Sequence, residues 1–570
     1  MKKENKTGSI NLMKKEEAYE RAKEELMEEN VVAMYDVRGI QKYIYKTAKA
    51  KDAIGASDLV EGIIDEALQK AVQMCGLSEE QTDLFWKEAV DEPGCEKGKR
   101  KKYVPKEYQE DDKKKVQVLF IGGGNGFVLF SDIELCNRVN RYMARYILEE
   151  TYSLQLAVAV VKKTDHYAAD YKNLHLEMNK IKADMSDSKP LGALPVMQIE
   201  IKTGYPAVDQ DGTSSETKKK KERKDRIRIK EGEEKYLENI ITQKGVDSNL
   251  AVVHLDGNNM GLRIREIISG KDSYQDAVNT MRQISYRIDQ SYKQVFQNMK
   301  EQFSSEHIVI EGKETKPYMR KIVTAGDDIT YVCNAQIAFA TVEYFCKEIT
   351  NYTLYQEKED MTPEEEKENK KKYGFSVCAG IAFMNSHFPF EIAYDTAEEC
   401  CDSAKDAAKD PQNMDGERIG NYFDFQICKN IAVRNLDLVR KKEYQTPSGE
   451  HLLYRPYFVE TDNDFGLRAC NHCLTYRELT RSILYFQGKT GKKAFPRSFA
   501  KQLRNTYPLG INAITTFIGF LHSRGWEMPD NDQNMYVDVD GVTVARWYDA
   551  LEMLDYYTDV QLRKEDEADE

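Results

Sequence analysis

The sequence predicts an α+β protein in which one β-α-β-β-α-β unit occurs twice and a mostly helical domain follows. Each copy opens on an apolar strand pattern, Val31–Gly39 in the first and Leu250–Gly261 in the second. Each copy then has two apolar runs around a tight turn, Val116–Phe130 and Arg320–Cys333, before a helix, a strand and a trailing helix. This order, with an antiparallel hairpin at its centre, is typical of a ferredoxin-like domain.

Length and composition indicate several packed domains. The 570 residues are too many for one ordinary core, and 41% of them are hydrophobic. The predicted domains are an N-terminal helical segment (1–30), the first ferredoxin-like domain (31–190), a basic linker or small insert (191–249), the second ferredoxin-like domain (250–425) and a mostly helical C-terminal domain (426–570).

Hydropathy and cysteine usage predict a cytoplasmic protein with no membrane partner. No run approaches eighteen uncharged apolar residues, and the lysine-containing N-terminus lacks the apolar core of a signal peptide. Eleven cysteines spread over the whole length are typical of reduced thiols. Cys470 and Cys473 have a CxxC spacing that suits either half of a zinc site or two ordinary thiols.

Charge is unevenly distributed along the chain. The net charge of −13 argues against nucleic-acid binding through overall electrostatics, although a local basic groove stays compatible with it. The segment Glu216–Lys235, within the predicted linker, is dense in Lys and Arg. It is either a solvated linker or exposed helix face, or a contact for RNA phosphates.

Three carboxylates follow strands of the second copy. Asp256 closes the first apolar strand, while Asp327 and Asp328 follow Gly326 at the tip of the hairpin. We expect the first strand to lie beside the second, about 4.8 Å away, so that the three acids converge. Such a cluster needs a cation, and a pair of Mg²⁺ or Mn²⁺ ions would activate an attacking hydroxyl and a leaving pyrophosphate.

Two further features of the second copy suit a nucleotide triphosphate. The loop after the first strand precedes a helix, so its backbone N–H groups and the helix N-terminus would cradle an anion. Lys405 lies beside a stripe of small residues on the trailing helix and either reaches inward to phosphate or points to solvent. The loop residues are Gly257, Asn258, Asn259, Met260 and Gly261.

The first copy keeps the pattern but lacks the hairpin acids. Its tip is Gly122–Gly126, which contains no carboxylate, and Asp36 at the strand end has no acidic partner on the hairpin. Metal catalysis is therefore not expected there. Gly123 and Gly124 would let a base or ribose approach the backbone, or they form a tight turn and nothing more.

Five segments occur in the order seen in one known protein family. They are GIQKYIYKTAKAKDAIGASDLVEG, FIGGGNGFVLF, HLDGNNMG, AGDDITYV and the run from SVCAGIAF to DSAKDAAK. Over roughly Val31–Asp424 the chain resembles the large polymerase-like subunit of type III CRISPR effector complexes, which has two palm domains and a GGDD motif. The resemblance implies two ferredoxin-like palms packed face to face as a pseudo-dimer. It also implies conversion of ATP into cyclic oligoadenylate when target RNA is bound.

The resemblance assigns roles to residues of the second copy. Asp256 and Asp327 correspond to the metal ligands, and Asp328 to a ligand or a hydrogen-bond partner. Gly326 corresponds to the second glycine of GGDD, whose first glycine is Ala325 here. Lys405 corresponds to the lysine that binds the triphosphate.

The sequence also departs from this family. It contains no His-Asp dipeptide, so the nuclease domain of many relatives is expected to be absent. Thr203–Val208 resembles the end of the family's zinc segment, but the neighbouring cysteines are missing. The partners implied are nucleotides, RNA and effector subunits, unless the protein is a compact stand-alone relative.

Three functions are compatible with these observations. The first is a nucleotidyltransferase that converts ATP by two-metal catalysis into a cyclic nucleotide or oligonucleotide messenger of prokaryotic antiviral defence, releasing pyrophosphate. The second is a catalytically silent RNA-binding scaffold of an effector complex. The third is a related cyclase that makes a mononucleotide or dinucleotide.

Overall fold

The structure is a computed structural model. The residues that it describes are 29–45, 50–91, 101–122, 124–185, 194–201, 203–226, 240, 248–304, 308–309, 319–358, 360–415, 418–429, 435–464, 466–467, 474–491, 493–529, 534–539 and 541–562. Residues 1–28 of the predicted N-terminal helical segment (1–30), Gly123, and both Cys470 and Cys473 lie outside them. In the described part of the chain, no helix is long and apolar enough to cross a membrane.

The chain divides into two compact units. The described residues of the first unit fall within 29–47, 52–226 and 259–289, and those of the second within 50–51, 240–258 and 290–562. The segment 259–289, which follows the first strand of the second copy, therefore belongs to the first unit. The C-terminal region belongs to the same unit as the second sheet.

The first unit contains the first ferredoxin-like sheet. Its strands are β1 (Val31–Arg38), β2 (Thr82–Asp83), β3 (Lys87–Asp91), β4 (Lys101–Pro105), β5 (Val116–Gly122), β6 (Asn125–Phe130) and β7 (Gln155–Lys162). Five of them form a sheet of order β2-β5-β6-β1-β7, and β3 and β4 form a separate hairpin. Helices are α1 (Ile40–Tyr45), α2 (Ala50–Met74), α3 (Ile133–Thr151), α4 (Tyr167–Asp184), α5 (Ser215–Arg226), α6 (Met260–Ser269) and α7 (Tyr274–Gln302), of which α7 continues into the second unit.

The second unit contains the other sheet and the C-terminal region. Its strands are β8 (Asn249–Gly257), β9 (Ile308–Val309), β10 (Met319–Ala325), β11 (Asp328–Asn334), β12 (Val377–Asn385), β13 (Tyr422–Ile427), β14 (Tyr457–Phe458), β15 (Tyr536–Val539), β16 (Val542–Ala545) and β17 (Gln561–Leu562). The main sheet has the order β10-β11-β8-β12-β13-β14. Helices are α8 (Ala338–Ile349), α9 (Pro363–Tyr373), α10 (Phe390–Ala408), α11 (Leu436–Glu443), α12 (Tyr476–Phe486), α13 (Arg497–Thr506), α14 (Ile511–Ser523) and α15 (Tyr548–Glu552).

The two sheets confirm the predicted fold class. In each, the four strands of the β-α-β-β-α-β unit run antiparallel to their neighbours in the same order. The hairpins β5–β6 and β10–β11 also share an irregular register, between Val118 and Phe120 and between Lys321 and Val323. A bulge at the same distance from the tip of both hairpins shows that the duplication extends to backbone detail.

The expected neighbour of the first strand was wrong. In each sheet, the first strand lies between the third and fourth strands and not beside the second. The connection after the first strand leads to a second strand that lies two positions away in the sheet. The third strand, which forms a hairpin with the second, occupies the position between them. Both edges of the first strand are thereby hydrogen-bonded, which satisfies its backbone groups in the buried centre of the sheet.

Helix α10 packs very closely on β12 at Gly380. A methyl group at this position would lie 1.8 Å from the carbonyl oxygen of Ala397 and 2.4 Å from the amide nitrogen of Cys401. The small residues of the predicted stripe, from Ala393 to Ala408, are buried. This contact fixes the height of the helix above the sheet, and therefore the position of residues one turn beyond Cys401.

A buried ion network attaches α15 to the second sheet. Arg455 pairs with Glu552 at 2.9 Å and with Asp549 at 3.4 Å, and all three side chains are buried. Its guanidinium lies 4.0 Å from the ring centroid of Phe425 on β13 and donates to the Phe425 carbonyl oxygen. The mostly helical C-terminal region is thus joined to the sheet by a buried arginine between two buried carboxylates.

Helix α5 corrects the expectation of a solvated basic linker. The Lys220 side chain is fully buried and its Nζ donates to Glu216 Oε1 and to the Tyr43 carbonyl oxygen, both at 2.6 Å. Acids of the first unit also pair with neighbouring cations of this helix. These pairs are Lys219–Glu150, Arg223–Asp58 and Arg223–Glu66. The charges of these side chains are compensated within the unit and are not free for RNA phosphates; residues 227–235 lie outside the described residues.

The segment that resembles the end of a zinc module is organised by a carboxylate. Glu200 Oε2 accepts hydrogen bonds from the hydroxyls of Ser214 at 2.5 Å and of Thr203 and Thr217 at 2.8 Å. Burial alone would raise the pKa of Glu200, but these hydroxyls lower it below its usual value. Charge-assisted hydrogen bonds of this kind hold the local turn together.

Substitution of Gly380 by alanine is expected to lower the free energy of unfolding by about 3 kcal/mol or more, because the added methyl group collides with helix backbone. Thermal and denaturant unfolding measure the loss. Gly261→Ala is the matched control, since a methyl group there meets no atom within 4 Å. Equal losses in the two variants would contradict the close approach of α10.

Lys220→Met is expected to destabilise the protein by about 3–5 kcal/mol, because it leaves the buried Glu216 carboxylate without its counter-charge. The double variant Lys220→Met, Glu216→Gln should recover much of this loss, since the amide oxygen of the introduced glutamine can still accept from the Ser153 hydroxyl. Denaturant unfolding compares the two. A double variant no more stable than the single one would show that the pair is not buried.

Candidate functional site

The hairpin β10–β11 positions its two acids by a tight turn. Ala325 pairs with Asp328 and closes the hairpin, so Gly326 and Asp327 are the two turn residues. Gly326 has φ +65°, a left-handed conformation that favours glycine. A glycine with positive φ at the first of two turn positions is the requirement of a type II′ hairpin. The turn therefore depends on Gly326, and Ala325 in place of the first motif glycine is compatible with it.

Asp256 lies next to these acids in the strand register. It is near the end of the central strand β8, where Leu255 pairs with Ile329. Asp328 directly precedes Ile329, so it lies beside Asp256 on the neighbouring strand. The structure thus brings the strand-end acid and the first residue of β11 to the same edge of the sheet, with Asp327 in the adjoining turn.

The environment of the hairpin acids disfavours negative charge. Burial, and next the charge of Asp256, raise the pKa of the Asp327 carboxyl to about 7. Burial also raises the pKa of Asp328 well above its usual value, and the charges of Asp256 and Asp327 add to the shift. The Asp328 side chain is still 33% exposed. One side of the cluster is therefore open to solvent or to a ligand.

Lys405 on α10 provides positive charge. Its Nζ donates a hydrogen bond to Asp256 Oδ2, and its side chain is 19% exposed. Burial alone would lower the pKa of Lys405, but the negative charge of Asp256 raises it above its usual value. Lys405 therefore points inward and not to solvent, and it contacts the Asp256 carboxylate. We call the strand ends that carry Asp256, Asp327 and Asp328 the acid edge.

His254 is a site residue that the sequence reasoning missed. It faces Asp328 across the sheet edge, with Nδ1 3.4 Å from Asp328 Oδ1 and 3.1 Å from Thr330 Oγ1. Burial lowers the pKa of His254 to about 4, so the imidazole is neutral near pH 7. The signal was present in the sequence, because His254 and Asp256 are two residues apart on a strand and share one face.

The predicted loop after β8 divides between the two units. Asn258 is buried; its backbone N–H donates to the Ser376 carbonyl oxygen at 2.9 Å and its side chain donates to the Gly420 carbonyl oxygen at 3.1 Å. This N–H is used within the fold and supports the strand end. Asn259 adopts a left-handed conformation with φ 54° and precedes α6, on whose first turn Met260 is buried. A nucleotide-binding role for Gly257–Gly261 stays a prediction.

The first sheet repeats the acid–lysine contact without the hairpin acids. Lys182 on the trailing helix α4 donates to Asp36 Oδ2, as Lys405 does to Asp256. Asp36 pairs in register with Asn125, which occupies the place of Asp328. Gly124 has φ +78°, a left-handed conformation that favours glycine. Comparison of the two copies in the sequence alone would have singled out Lys182.

The acid edge of the second sheet fits a divalent cation by its chemistry. All of its candidate ligands are carboxylate oxygens, which Mg²⁺ and Mn²⁺ prefer, and Asp328 Oδ1 is buried without a hydrogen-bond partner. No three His, Cys, Asp or Glu side chains among the described residues are close enough to enclose an ion by themselves. The arrangement therefore suits an ion that takes one or two carboxylates together with water or substrate phosphates.

Comparison with known proteins assigns this sheet to a family. Residues 249–413 match the family model described as Cas10/Cmr2, second palm domain. The chain therefore contains a second palm domain of the Cas10/Cmr2 kind. Its second sheet is thus a palm, the fold of nucleotidyltransferases and cyclases. No curated protein sequence matches the chain.

Solved structures with a similar fold include Csm1 of T. onnurineus, which is 13% identical over 93% of this chain and 69% of that one, with a TM-score of 0.49. A Csm1–Csm4 cassette in complex with cA4 is 13% identical over 93% of this chain and 70% of that one, with a TM-score of 0.47. The same cassette in complex with AMPPNP has the same values.

Saturating Mn²⁺ is expected to raise the thermal midpoint of Lys405→Met by about 3 °C more than that of the unaltered protein. The reason is that Lys405 and a cation compete for Asp256. Thermal unfolding with and without Mn²⁺ measures this difference. Lys182→Met is the matched control. It removes the lysine partner of Asp36 in the first sheet, where the neighbouring strand carries Asn125 and no acid. The same increase in both variants would argue against a cation at the second palm.

Proposed function

We propose that this Cas10-like chain is a nucleotidyltransferase that converts ATP into a cyclic nucleotide or oligonucleotide messenger, releasing pyrophosphate, in the cytoplasm of prokaryotes that use it in antiviral defence. The observation that carries the proposal is the placement of Asp328 and the Asp327 turn beside Asp256, at the edge to which Lys405 points. RNA and effector subunits are the proposed partners.

The acids of the second palm have a binding role in this proposal. Asp256, Asp327 and Asp328 would hold the divalent ions. Burial, and next the charge of neighbouring acids, raises the pKa values of the two hairpin acids, and a bound cation would offset both effects. Bound ions would make the attacking hydroxyl more acidic and stabilise charge on the leaving pyrophosphate. The neutral His254 would keep Asp328 and Thr330 in place without competing with a cation.

Lys405 has a binding role at the phosphates. Its ammonium group lies on a flexible side chain, and it can exchange the Asp256 carboxylate for the triphosphate of a nucleotide. This exchange would free Asp256 as a ligand when the substrate arrives. Gly326, Gly257 and the helix start at Met260 are the proposed backbone contacts of the nucleotide, with Gly123 and Gly124 of the first palm as proposed contacts of a second nucleotide.

The reaction joins two nucleotides through one new bond. A ribose hydroxyl oxygen of one nucleotide attacks the α-phosphorus of another, the bond to the pyrophosphate oxygen breaks, and the hydroxyl proton is released. The chain contributes by holding the two groups in line and by placing positive charge at the phosphates. Ring closure repeats the same step within one product chain.

Asp256→Asn and Asp327→Asn are each expected to reduce product formation from ATP by at least about 100-fold, because each removes a proposed metal ligand. Purified protein is incubated with Mg²⁺ or Mn²⁺ and labelled ATP or GTP, with and without RNA. Pyrophosphate release is measured and the products are identified by mass.

Asp406→Asn is the control, since Asp406 is an exposed acid on α10. Full activity in both Asp256→Asn and Asp327→Asn would refute the proposed metal site. If the protein binds RNA but forms no nucleotide product under any of these conditions, the RNA-binding scaffold function would be favoured over the enzyme.

A further inference from the structure

The hairpin β5–β6 of the first sheet has a buried bulge. Leu119 lies at the bulge, between the paired residues Val118 and Phe120, and has no partner on β6. On its other edge β5 pairs with β2 only at Val116 and Gln117. Val118 and Leu119 are both fully buried. Backbone carbonyl groups at such a bulge are not all satisfied within the sheet, and they need hydrogen-bond donors from elsewhere in the fold.

Arg282 on α7 supplies these donors. Its Nε donates to the Leu119 carbonyl oxygen at 2.6 Å, and its Nη2 donates to that of Val118 at 2.7 Å. Its Nη1 donates to the carbonyl oxygen of Lys106, directly after β4, at 2.6 Å. All three guanidinium nitrogens therefore hold backbone oxygens, and the planar group joins the bulge to a second segment of the chain. A lysine ammonium, which is a single point of charge, cannot make this set of contacts.

Arg282 makes these contacts without a counter-charge. It is 1% exposed and has no ion-pair partner among the residues that the structure describes. The ring centroid of Tyr108 lies 5.3 Å from its guanidinium carbon. Burial lowers the pKa of Arg282 to about 10, and the charge of Asp83 opposes this shift, so the side chain is protonated near pH 7. An apolar residue would fill this volume at a lower desolvation cost, which points to the hydrogen bonds at the bulge as the role of the arginine.

The same face of α7 makes contacts on both sides of Arg282. One turn earlier, Asn279 Oδ1 accepts from the Tyr108 backbone N–H at 2.7 Å. One turn later, Ser285 lies against Gly122, the last residue of β5, where an added methyl group would be 2.5 Å from Ser285 Oγ. Residues three apart on a helix are neighbours on one face. The helix therefore follows the hairpin from its bulge to the base of its tip.

We propose that Arg282 is a positioning residue for the second nucleotide of the reaction. Arg282 holds the bulge, and the bulge sets the twist of β5–β6. The twist in turn directs the hairpin tip that carries Gly124, a proposed contact of that nucleotide. Arg282 acts through the backbone of the tip and not through contact with substrate. This inference rests on the proposed function, and it assigns part of substrate binding to a helix outside both hairpins.

The kinetic test compares two variants of the full chain. Arg282→Lys keeps the charge but cannot bridge three carbonyl oxygens, and Arg282→Met removes every donor. Product formation is measured against ATP concentration at saturating Mn²⁺. We expect the KM for ATP to rise about tenfold in Arg282→Lys and further in Arg282→Met, with kcat within about threefold of the unaltered protein. The reason is that binding energy of the nucleotide is used to restore the tip, which saturating ATP still achieves.

Lys220→Met is the matched control for a loss of stability. It also leaves a buried charge unpaired in the first unit, but on α5 and away from the hairpin contacts of α7. A smaller folded fraction lowers the apparent kcat and leaves KM unchanged, which is the result expected for Lys220→Met. If Arg282→Lys gives this same result, its role is merely structural and the proposal is overturned.

Amide hydrogen exchange measures the hold on the hairpin without any need for activity. Peptides that cover β5 and β6 should exchange at least about tenfold faster in Arg282→Lys than in the unaltered protein, whereas peptides from β7 should keep their rates. Unchanged exchange over the hairpin would overturn the proposal even if activity falls. Absence of product from the unaltered protein would instead refute the proposed function, and with it the role towards a second nucleotide. The exchange rates would then still decide whether Arg282 holds the hairpin.

Discussion

The end of the central strand in each ferredoxin-like sheet depends on one contact, between an aspartate and a lysine of the trailing helix. Asp256 with Lys405 and Asp36 with Lys182 occupy equivalent places. The first strand is hydrogen-bonded on both edges, which fixes the backbone position of its aspartate, and the trailing helix places the lysine beside the carboxylate. In the second sheet the distance of that helix is set by Gly380, where backbone meets backbone. The position of Asp256 and Lys405 thus depends on the central place of β8 in the sheet and on the close contact of the helix at Gly380.

Much of the fold could be predicted because its signals are local. Apolar runs bounded by turn residues indicated the strands, and the repeated order of elements indicated the ferredoxin-like class. Strand neighbours are a non-local property, and the expectation that β8 adjoins β10 failed for that reason. The acids nevertheless come together, since the third strand, β11, brings Asp328 to β8 directly. The sequence analysis expected these acids to be close for a wrong reason, the pairing of β8 with β10. The pairing of β8 with β11 is what places Asp328 beside Asp256.

Other parts could not be predicted because they depend on three-dimensional compensation. A run of lysines predicts solvent exposure, yet Lys220 is buried against Glu216 and Tyr43, and its neighbours pair with acids far away in the sequence. His254 lies inside an apolar strand and has no motif of its own. Lys182 becomes visible only when the two copies are compared position by position. Arg282 likewise acquires meaning only when α7 places it against the bulge of the first hairpin.

The shared bulge of the two hairpins has a consequence for how the halves diverged. A bulge sets the twist of a hairpin and therefore the direction in which its tip projects. Both halves have retained this backbone feature, whereas the tip residues differ: Gly124 and Asn125 stand in one half where Asp327 and Asp328 stand in the other. An acidic tip and a neutral one therefore project from ribbons bent at the same place, and the two tips differ in their side chains and in which turn residue has a positive φ, Gly326 or Gly124.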